Sequence, residues 1–316
     1  MPTTVISPDI SDRSHERYNA TATCRRQIHD ELLILRVRPD GGVPTYEAGQ
    51  YTTLGLGYWE PRASDCDQEH LAKALETRLV QRAYSISSPI LDEHDRPVRV
   101  NEYGELEFYV VLIRHGETRT PALTPRLFAL DVGSRLFVGP HPKGHYTLAP
   151  VQPDDQVIFL ATGTGEAPHN AMLGELLARG HCGRILNVVS VRNERDLGYL
   201  PTHRRVESQW SNYRYVTLTT REPRNVDPTH PEFVGKIRLQ DFITSNRVAE
   251  SLGQPFDPSN CHVFLCGNPA MVGIPKDEHG RRIYPQPIGM IELLERIGFQ
   301  ADRSGQPGNI HFEKYW

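Results

Sequence analysis

The sequence has little that would commit it to a metal site or a disulfide framework. Its five cysteines are scattered and odd in number: Cys24, Cys66, Cys182, Cys261 and Cys266. None has the spacing of zinc ligands, and the spacing that holds a plant-type iron–sulfur cluster is also missing. We therefore expect no metal, and any single electrons that this chain handles must pass to another molecule.

Long apolar runs and a strong net charge are lacking too. No segment reaches the roughly 20 apolar residues that cross a bilayer, and a formal net charge of −4 provides no field that attracts nucleic acid. The first twenty residues contain Asp9, Asp12 and Glu16 but no apolar stretch, which is unlike a signal peptide. These absences predict a cytoplasmic protein with no nucleic-acid or membrane partner.

The chain is long enough for two hydrophobic cores. At 316 residues it exceeds the size at which a single core usually stops growing. After an N-terminal extension over residues 1–20, residues 21–150 read as separate strands with one short helix, and residues 151–316 alternate strands with helices. That order predicts an all-β antiparallel barrel followed by an α/β domain with a doubly wound parallel sheet.

Several segments of the first domain have strand character, and two other segments interrupt this simple plan. One interruption, residues 58–78, is polar and includes a helix-like stretch at 69–77; the other, residues 274–287, is rich in proline, glycine and basic residues. Both fit tolerated insertions as well as loops that shape a partner or cofactor site. The predicted barrel strands are 32–37, 51–56, 82–87, 106–113, 135–138 and 145–148.

The predicted strand at 82–87 places a cation, an aromatic ring and a hydroxyl close together. Arg82 offers a planar fork for a pyrophosphate, Tyr84 offers a face on which an isoalloxazine ring can stack, and Ser85 can bond the ring edge near N5. This combination suits a flavin dinucleotide. Strand packing alone also selects such residues, so a purely structural role stays open for this segment taken by itself.

A second anion site is predicted where the chain reads Thr124-Pro125. Thr124 is a typical helix N-cap, and Pro125 suits the first helical position. Because a helix N-terminus binds anions, this helix and Arg82 would hold two sides of one pyrophosphate. An ordinary capped helix is the alternative.

The second domain opens with a phosphate-binding pattern. The apolar run 156–161 predicts a buried parallel strand, the sequence GTGEAP follows at 163–168, and a helix is predicted over 169–179. A strand, a glycine-rich turn and a helix N-terminus together bind phosphates. The pattern is not GxGxxG, because Pro168 occupies the position of the third glycine.

Basic residues follow the next predicted strands. Where a site for NAD would place an acidic residue after the second strand, this chain has Arg192. A single surface arginine is usually a solvated charge, but the carboxyl ends of parallel strands meet at one edge of a sheet. The joint position therefore favours a 2′-phosphate, and hence NADPH. The possible companions of Arg192 are Arg221, Arg224 and Lys236.

Six short stretches resemble, in the same order, the bacterial ferredoxin/flavodoxin–NADP+ reductases. The resemblance covers nearly the whole chain from about residue 20 onward, and it departs from the family at Pro121-Ala122, where many relatives carry glycine. The stretches are AGQYT at 48–52, RAYS at 82–85 with SP at 88–89, TPRL at 124–127, GTGEAP at 163–168, CGNPAM at 266–271 and EKYW at 313–316.

The resemblance implies a barrel that binds FAD and a doubly wound domain that binds NADP(H). Trp316 would stack on the flavin face where the nicotinamide must bind, and it would move aside for hydride transfer. The implied FAD-binding residues are Arg82, Ala83, Tyr84, Ser85, Thr124 and Trp316.

For the pyridine nucleotide, the resemblance assigns the glycine turn to the pyrophosphate and the arginines to the 2′-phosphate. Cys266 would line the nicotinamide site as a contact and not as a nucleophile, and Glu313 would relay protons. The resemblance and the residues at the predicted strand ends together give the NADP(H)-binding residues: Gly163, Thr164, Gly165, Pro168, Arg192, Arg221, Lys236, Cys266 and Gly267. The implied catalytic group is Ser85, Cys266, Glu313 and Trp316.

The activity implied by the resemblance is hydride transfer between NADP(H) and FAD and transfer of single electrons between FAD and ferredoxin or flavodoxin. FAD would do the chemistry, and the protein would supply placement and electrostatics. The same scaffold also serves reductase components of oxygenases and reductases of flavin or cobalamin, so these remain alternatives. A third interpretation, a flavin-binding sensor without turnover, is disfavoured by the intact nicotinamide corner.

Overall fold

The structure is a computed structural model that describes residues 17–278 and 281–314. Contacts within the chain divide it into two compact units: Met1–Ser88 with Arg99–His145, and Pro89–Val98 with Tyr146–Trp316. The loop Pro89–Val98 belongs to the second unit because its backbone packs on Gly174, where an added Cβ would lie 2.7 Å from the Val98 carbonyl oxygen. The sequence places the domain boundary near residue 150, whereas the contacts divide the chain after His145.

The first unit is a six-stranded antiparallel sheet with the order β4-β3-β6-β1-β2-β5. The two edge strands of this order are joined just past the end of β4, where the Ser87 N–H donates to the carbonyl oxygen of Glu107 in β5 at 2.8 Å. The predicted antiparallel barrel is therefore confirmed. Its strands are β1 (Ala20–His29), β2 (Leu32–Pro39), β3 (Tyr51–Gly57), β4 (Leu79–Ser85), β5 (Leu106–Val111) and β6 (Arg135–Val138).

One barrel strand differs from the prediction. Residues 145–148 form bends and no strand, and β1 takes the sixth place by pairing with both β2 and β6. Tyr146, Thr147 and Leu148 are buried in succession, which is incompatible with the alternation of a half-buried strand. β1 was not predicted, because its sequence ATATCRRQIH does not alternate clearly between apolar and polar residues.

The two segments that interrupt the predicted plan form turns and a small hairpin. No helix forms at 69–77, where the described backbone makes turns such as the Leu75 N–H to Ala72 carbonyl bond at 2.8 Å. Within 274–287 the chain forms a small hairpin of β11 (Lys276–Glu278) and β12 (Arg281–Ile283). Arg282 Nη2 lies 2.7 Å from Glu295 Oε1, which fastens this hairpin to the helix Met290–Arg296.

The second unit is a five-stranded parallel sheet with the order β13-β10-β7-β8-β9, which confirms the doubly wound prediction. Apolar side chains such as Leu160, Val188 and Leu265 are buried, as parallel strands covered on both faces require. The edge strand β13 was not predicted. The strands are β7 (Gln156–Thr162), β8 (Ile185–Val191), β9 (Tyr213–Thr219), β10 (Cys261–Gly267) and β13 (Ile310–Lys314).

Short helices connect these strands, and the longest described one directly follows the glycine turn. Across the described residues, no helix is both long and apolar enough to cross a membrane. The α-helices of the second unit are Glu166–Ala178, Leu200–Gln209, Pro223–Val226, Leu239–Thr244, Arg247–Leu252, Pro269–Val272 and Met290–Arg296.

Candidate functional site

The first unit presents its predicted cofactor residues on an edge strand. β4 pairs with β3 alone among the strands of the described sheet. Arg82 and Ala83 are exposed, Tyr84 is half-buried and Ser85 is buried. The Arg82 guanidinium donates to the neighbouring Gln81 carbonyl oxygen at 2.7 Å, so it remains at the surface. The cation is thus accessible on this edge strand, whereas the Tyr84 ring is half-buried and the Ser85 hydroxyl is buried.

Ser85 carries the clearest sign of a ligand in this unit. Its side chain is 5% exposed, and its Oγ has no hydrogen-bond partner among the residues that the structure describes. A buried hydroxyl without a partner costs about 1–3 kcal/mol, so a ligand that bonds it would remove this cost. The hydroxyl therefore fits a bound polar ring edge.

Tyr84 is held as a neutral aromatic surface. Its ring meets Phe108 edge to face, with centroids 6.4 Å apart and planes at 81°. Burial raises the pKa of the Tyr84 phenol, although the nearby Arg82 charge opposes the shift. An uncharged phenol ring suits stacking against a flavin.

Thr124 does not cap its helix, which corrects the prediction. The helix Thr124–Phe128 begins at this residue, and the N-cap position belongs to Leu123. Leu123 has helical backbone angles, and the Thr124 hydroxyl accepts the Ile113 N–H at 3.2 Å. Pro125 accordingly sits at the second helical position. The sequence pattern missed this because the hydroxyl finds a partner on a distant loop.

Arg126 was not predicted, and it organises this region. The side chain is 2% exposed, and its Nη2 lies 2.6 Å from Glu69 Oε2, in the middle of the 58–78 segment. The guanidinium also donates to the Tyr58 and Ala122 carbonyl oxygens, both at 2.7 Å. An arginine between the buried residues Pro125 and Leu127 was the available signal, because a buried cation requires a partner.

The second unit contains the predicted glycine turn. Gly163 has φ of +53°, and an added Cβ would meet nothing within 4 Å, so the space above it is open. At Gly165 an added Cβ would lie 2.3 Å from the Cys266 carbonyl oxygen. Gly267 is as tightly placed, with the Thr162 Oγ1 2.2 Å from its Cβ position. One glycine leaves room for a ligand, and two allow close approach of the backbone.

The ends of β7 and β10 are tied together at this turn. The Thr162 hydroxyl accepts the Asn268 N–H at 2.7 Å. Thr164 is half-buried, and Pro168 lies buried in the first turn of the helix Glu166–Ala178. Proline is tolerated there because first-turn N–H groups have no partner within the helix. This open, rigid corner fits the phosphates of a dinucleotide.

Two of the predicted arginines are neighbours. The Arg221 N–H donates to the Arg192 carbonyl oxygen at 2.8 Å, and both side chains are exposed. The structure therefore brings together the backbones of two arginines that follow separate strands, β8 and β9. Such a pair is suited to a phosphate dianion.

Lys236 is exposed, and hydrogen bonds tie the residue before it, Gly235, to the end of β9. The Thr219 hydroxyl donates to Asn225 Oδ1 at 2.8 Å, and Asn225 Nδ2 donates to the Gly235 carbonyl oxygen at 3.1 Å. Arg224 instead faces Glu194, with Nη2 and Oε2 3.8 Å apart.

The predicted catalytic residues of the second unit lie on adjacent strands. Cys266 and Glu313 are register partners in β10 and β13. Cys266 has no exposed surface, whereas Glu313 is partly exposed. Trp316, predicted to stack on the flavin, lies outside the described residues.

Comparisons with known proteins agree with this architecture. Residues 159–277 match the family described as the oxidoreductase NAD-binding domain. A crystal structure of a ferredoxin NADP+ reductase from Neisseria gonorrhoeae with bound FAD and NADP shares the fold, with a TM-score of 0.67 and 19% identity over 94% of this chain and 98% of that one. The family model and the glycine turn together place the second unit among the nucleotide-binding domains of oxidoreductases.

Curated relatives narrow this class. The flavodoxin/ferredoxin–NADP reductase of Escherichia coli is 32% identical over 247 residues, which are 77% of this chain and 82% of that protein. The ferredoxin–NADP reductase of Pseudomonas aeruginosa is 28% identical over 90% of this chain and 92% of its own. The chain belongs to the flavodoxin/ferredoxin–NADP reductase family.

Proposed function

We propose that this chain transfers hydride between NADP(H) and FAD and passes single electrons between FAD and ferredoxin or flavodoxin. The observation that carries the proposal is that each of the two units has features suited to a nucleotide cofactor. The first unit has a buried Ser85 hydroxyl, without a partner in the described chain, on an exposed edge strand. The second has the open Gly163 turn at a sheet end that also carries Arg192 and Arg221.

In the first unit, the residues of β4 would hold FAD. Arg82 would bind the pyrophosphate, the Tyr84 ring would lie against the isoalloxazine, and the Ser85 hydroxyl would bond the ring edge. Ala83 and Thr124 complete the proposed contacts. When bound, FAD supplies the exchange between a hydride and single electrons, and the protein orients it and tunes its surroundings.

In the second unit, the glycine turn would bind the pyrophosphate of NADP(H). Gly163, Thr164 and Gly165 would approach it with their backbone, and the helix behind them would add its positive end. Arg192, Arg221 and Lys236 would bind the 2′-phosphate and so reject NADH.

The remaining assignments rest on the family resemblance. Trp316 would cover the flavin until the nicotinamide replaces it, Cys266 and Gly267 would line the nicotinamide, and Glu313 would relay protons. The names of the relatives support ferredoxin or flavodoxin as the electron partner. A cytoplasmic location stays a prediction.

Absorbance and acceptor assays test this function. The purified chain is expected to be yellow, or to bind added FAD, and to oxidise NADPH much faster than NADH with ferricyanide as acceptor. Ferredoxin and flavodoxin should then be reduced faster than free FMN. Fast reduction of FMN alone would favour a flavin reductase, and background rates with every acceptor would favour a non-catalytic flavin protein.

A further inference from the structure

A buried hydrogen-bond network lies directly behind the glycine turn. Glu166, the first residue of the helix Glu166–Ala178, is only 1% exposed. Its Oε1 accepts two hydrogen bonds, one from His203 Nε2 at 2.9 Å and one from the Tyr215 hydroxyl at 2.7 Å. His203 has no exposed surface, and Tyr215 is 3% exposed. A carboxylate is thus enclosed within the protein next to the proposed phosphate site.

The network extends beyond His203 to Tyr213 and Asn187. Tyr213 receives Asn187 Nδ2 at 3.4 Å, and its hydroxyl lies 2.8 Å from His203 Nδ1. Burial raises the pKa of Tyr213 well above its usual value, and the charge of Glu166 adds to this shift, so the phenol keeps its proton. Because Glu166 Oε1 accepts, His203 directs an N–H at it from Nε2, and the Tyr213 hydroxyl lies on the opposite side of the imidazole ring, beside Nδ1.

Stability alone does not account for such a network. Replacing buried ionic groups by apolar residues of similar volume is often neutral or stabilising, because the groups lose their hydration on folding. The His203 ring stacks on Tyr215 with centroids 3.9 Å apart, a packing contact that an apolar pair would also provide. What the polar groups add is a fixed orientation for the Glu166 carboxylate.

That orientation matters because of where Glu166 stands in the chain. It directly follows Gly165, and its N–H bonds to the carbonyl oxygens of Gly163 and Thr164. Its partners come from β9 and from the helix Leu200–Gln209, which are separate elements of the second unit. The network therefore joins the phosphate-binding turn to two neighbouring elements at the point where the turn becomes a helix.

We propose that Glu166 is a positioning residue for pyridine nucleotide binding: held by His203 and Tyr215, it fixes the turn that would receive the dinucleotide phosphates. This rests on the proposed function of that turn. Glu166 does not touch the ligand in this proposal. It acts through the backbone of Gly163–Gly165, and its loss leaves the turn without its anchor.

The test is isothermal titration of NADP+ into the full chain with its flavin. Glu166→Met keeps the volume but removes both accepted hydrogen bonds, and it is expected to raise the Kd of NADP+ about tenfold, equivalent to one or two lost bonds. Glu166→Gln retains an oxygen that accepts from His203 and Tyr215, so its Kd should stay within about threefold of the unmodified chain.

A matched pair of tyrosines separates positioning from packing. Tyr215→Phe removes the hydroxyl that holds Glu166, and we expect a Kd for NADP+ about fivefold higher, as one buried bond implies. Tyr146→Phe is the control. It removes a hydroxyl that lies 2.7 Å from Nε2 of His169, which is on the same helix as Glu166, and it should leave the Kd unchanged. Tyr215→Phe also keeps the test informative if Glu166→Met fails to fold.

Three results decide the matter. Unchanged Kd values for folded Glu166→Met and Tyr215→Phe would overturn the positioning role. An equal weakening by Tyr146→Phe would overturn it as well, because the effect would then be general loosening of the helix. Absence of NADP+ binding by the unmodified chain would instead show that the proposed function of the turn is wrong.

Discussion

In the first unit, Glu69 forms an ion pair with the buried Arg126, with Oε2 and Nη2 2.6 Å apart and a second contact between Oε1 and Nη1 at 3.3 Å. The pair fastens the 58–78 segment to the short helix Thr124–Phe128. The Ala63 N–H, which donates to the Pro125 carbonyl oxygen at 2.9 Å, adds a backbone connection. This segment is thus a fixed part of the unit, and it sets the position of a helix proposed to face FAD.

Removal of Glu69 is expected to destabilise the first unit strongly. Glu69→Ala leaves the buried Arg126 charge without its carboxylate, which typically costs about 3–5 kcal/mol. Urea unfolding of the flavin-free chain measures this loss. Glu76→Ala, an exposed glutamate in the same segment, should stay within about 0.5 kcal/mol of the unmodified chain. Equal stability of the two variants would contradict the importance of the pair.

Ser85→Ala should separate stability from flavin binding. The buried Oγ has no partner among the described residues, so removing it is expected to stabilise the flavin-free chain by about 1 kcal/mol. The same change should weaken FAD binding about tenfold, since the ring edge loses its hydrogen bond. Thermal unfolding and FAD titration of the flavin-free protein measure the two effects. A loss of stability would indicate that the hydroxyl has a structural partner instead.

Arg192 and Arg221 should determine the choice between NADPH and NADH. Replacing either by alanine is expected to raise the KM for NADPH about tenfold or more, because a charge-assisted bond to phosphate contributes about 1.5–3 kcal/mol. The KM for NADH should not change, since that ligand has no 2′-phosphate. Arg214→Ala, which changes an exposed arginine of β9, is the control and should affect neither value.

His169 makes the second unit sensitive to acid. Burial lowers the pKa of His169 to about 3, whereas the unfolded chain titrates near its ordinary value of 6.5. Between these values the unfolded state binds the proton and the folded state does not, so stability falls with decreasing pH by about 1.4 kcal/mol per unit.

His169→Leu is expected to remove this contribution to the pH dependence of unfolding, measured in urea from pH 7 to pH 4. The Phe159 ring stacks on His169 with centroids 4.8 Å apart and provides the control. Phe159→Leu weakens the packing but not the titration, so it should lower stability by a similar amount at each pH. An unaltered slope in His169→Leu would contradict the assignment.

The local patterns in the chain were sufficient for the two architectures. The strand at 156–161, the glycine turn and the following helix were predicted from apolar periodicity and glycine placement, and all three form. These signals work because strand period and backbone freedom depend on adjacent residues. β1 and the helix-like stretch at 69–77 went wrong for the same reason, since their local patterns were weak and distant contacts decided them.

Thus the sequence by itself determined the barrel, the parallel sheet, the glycine turn and the strand that carries Arg82 to Ser85. Only the tertiary structure decided which polar groups are enclosed together. Arg126 meets Glu69 across 57 residues, and Glu166 meets Tyr215 across 49. Burial makes an unpaired charge costly, so each of these groups needs a partner, but which distant residue provides it is decided by how the elements pack.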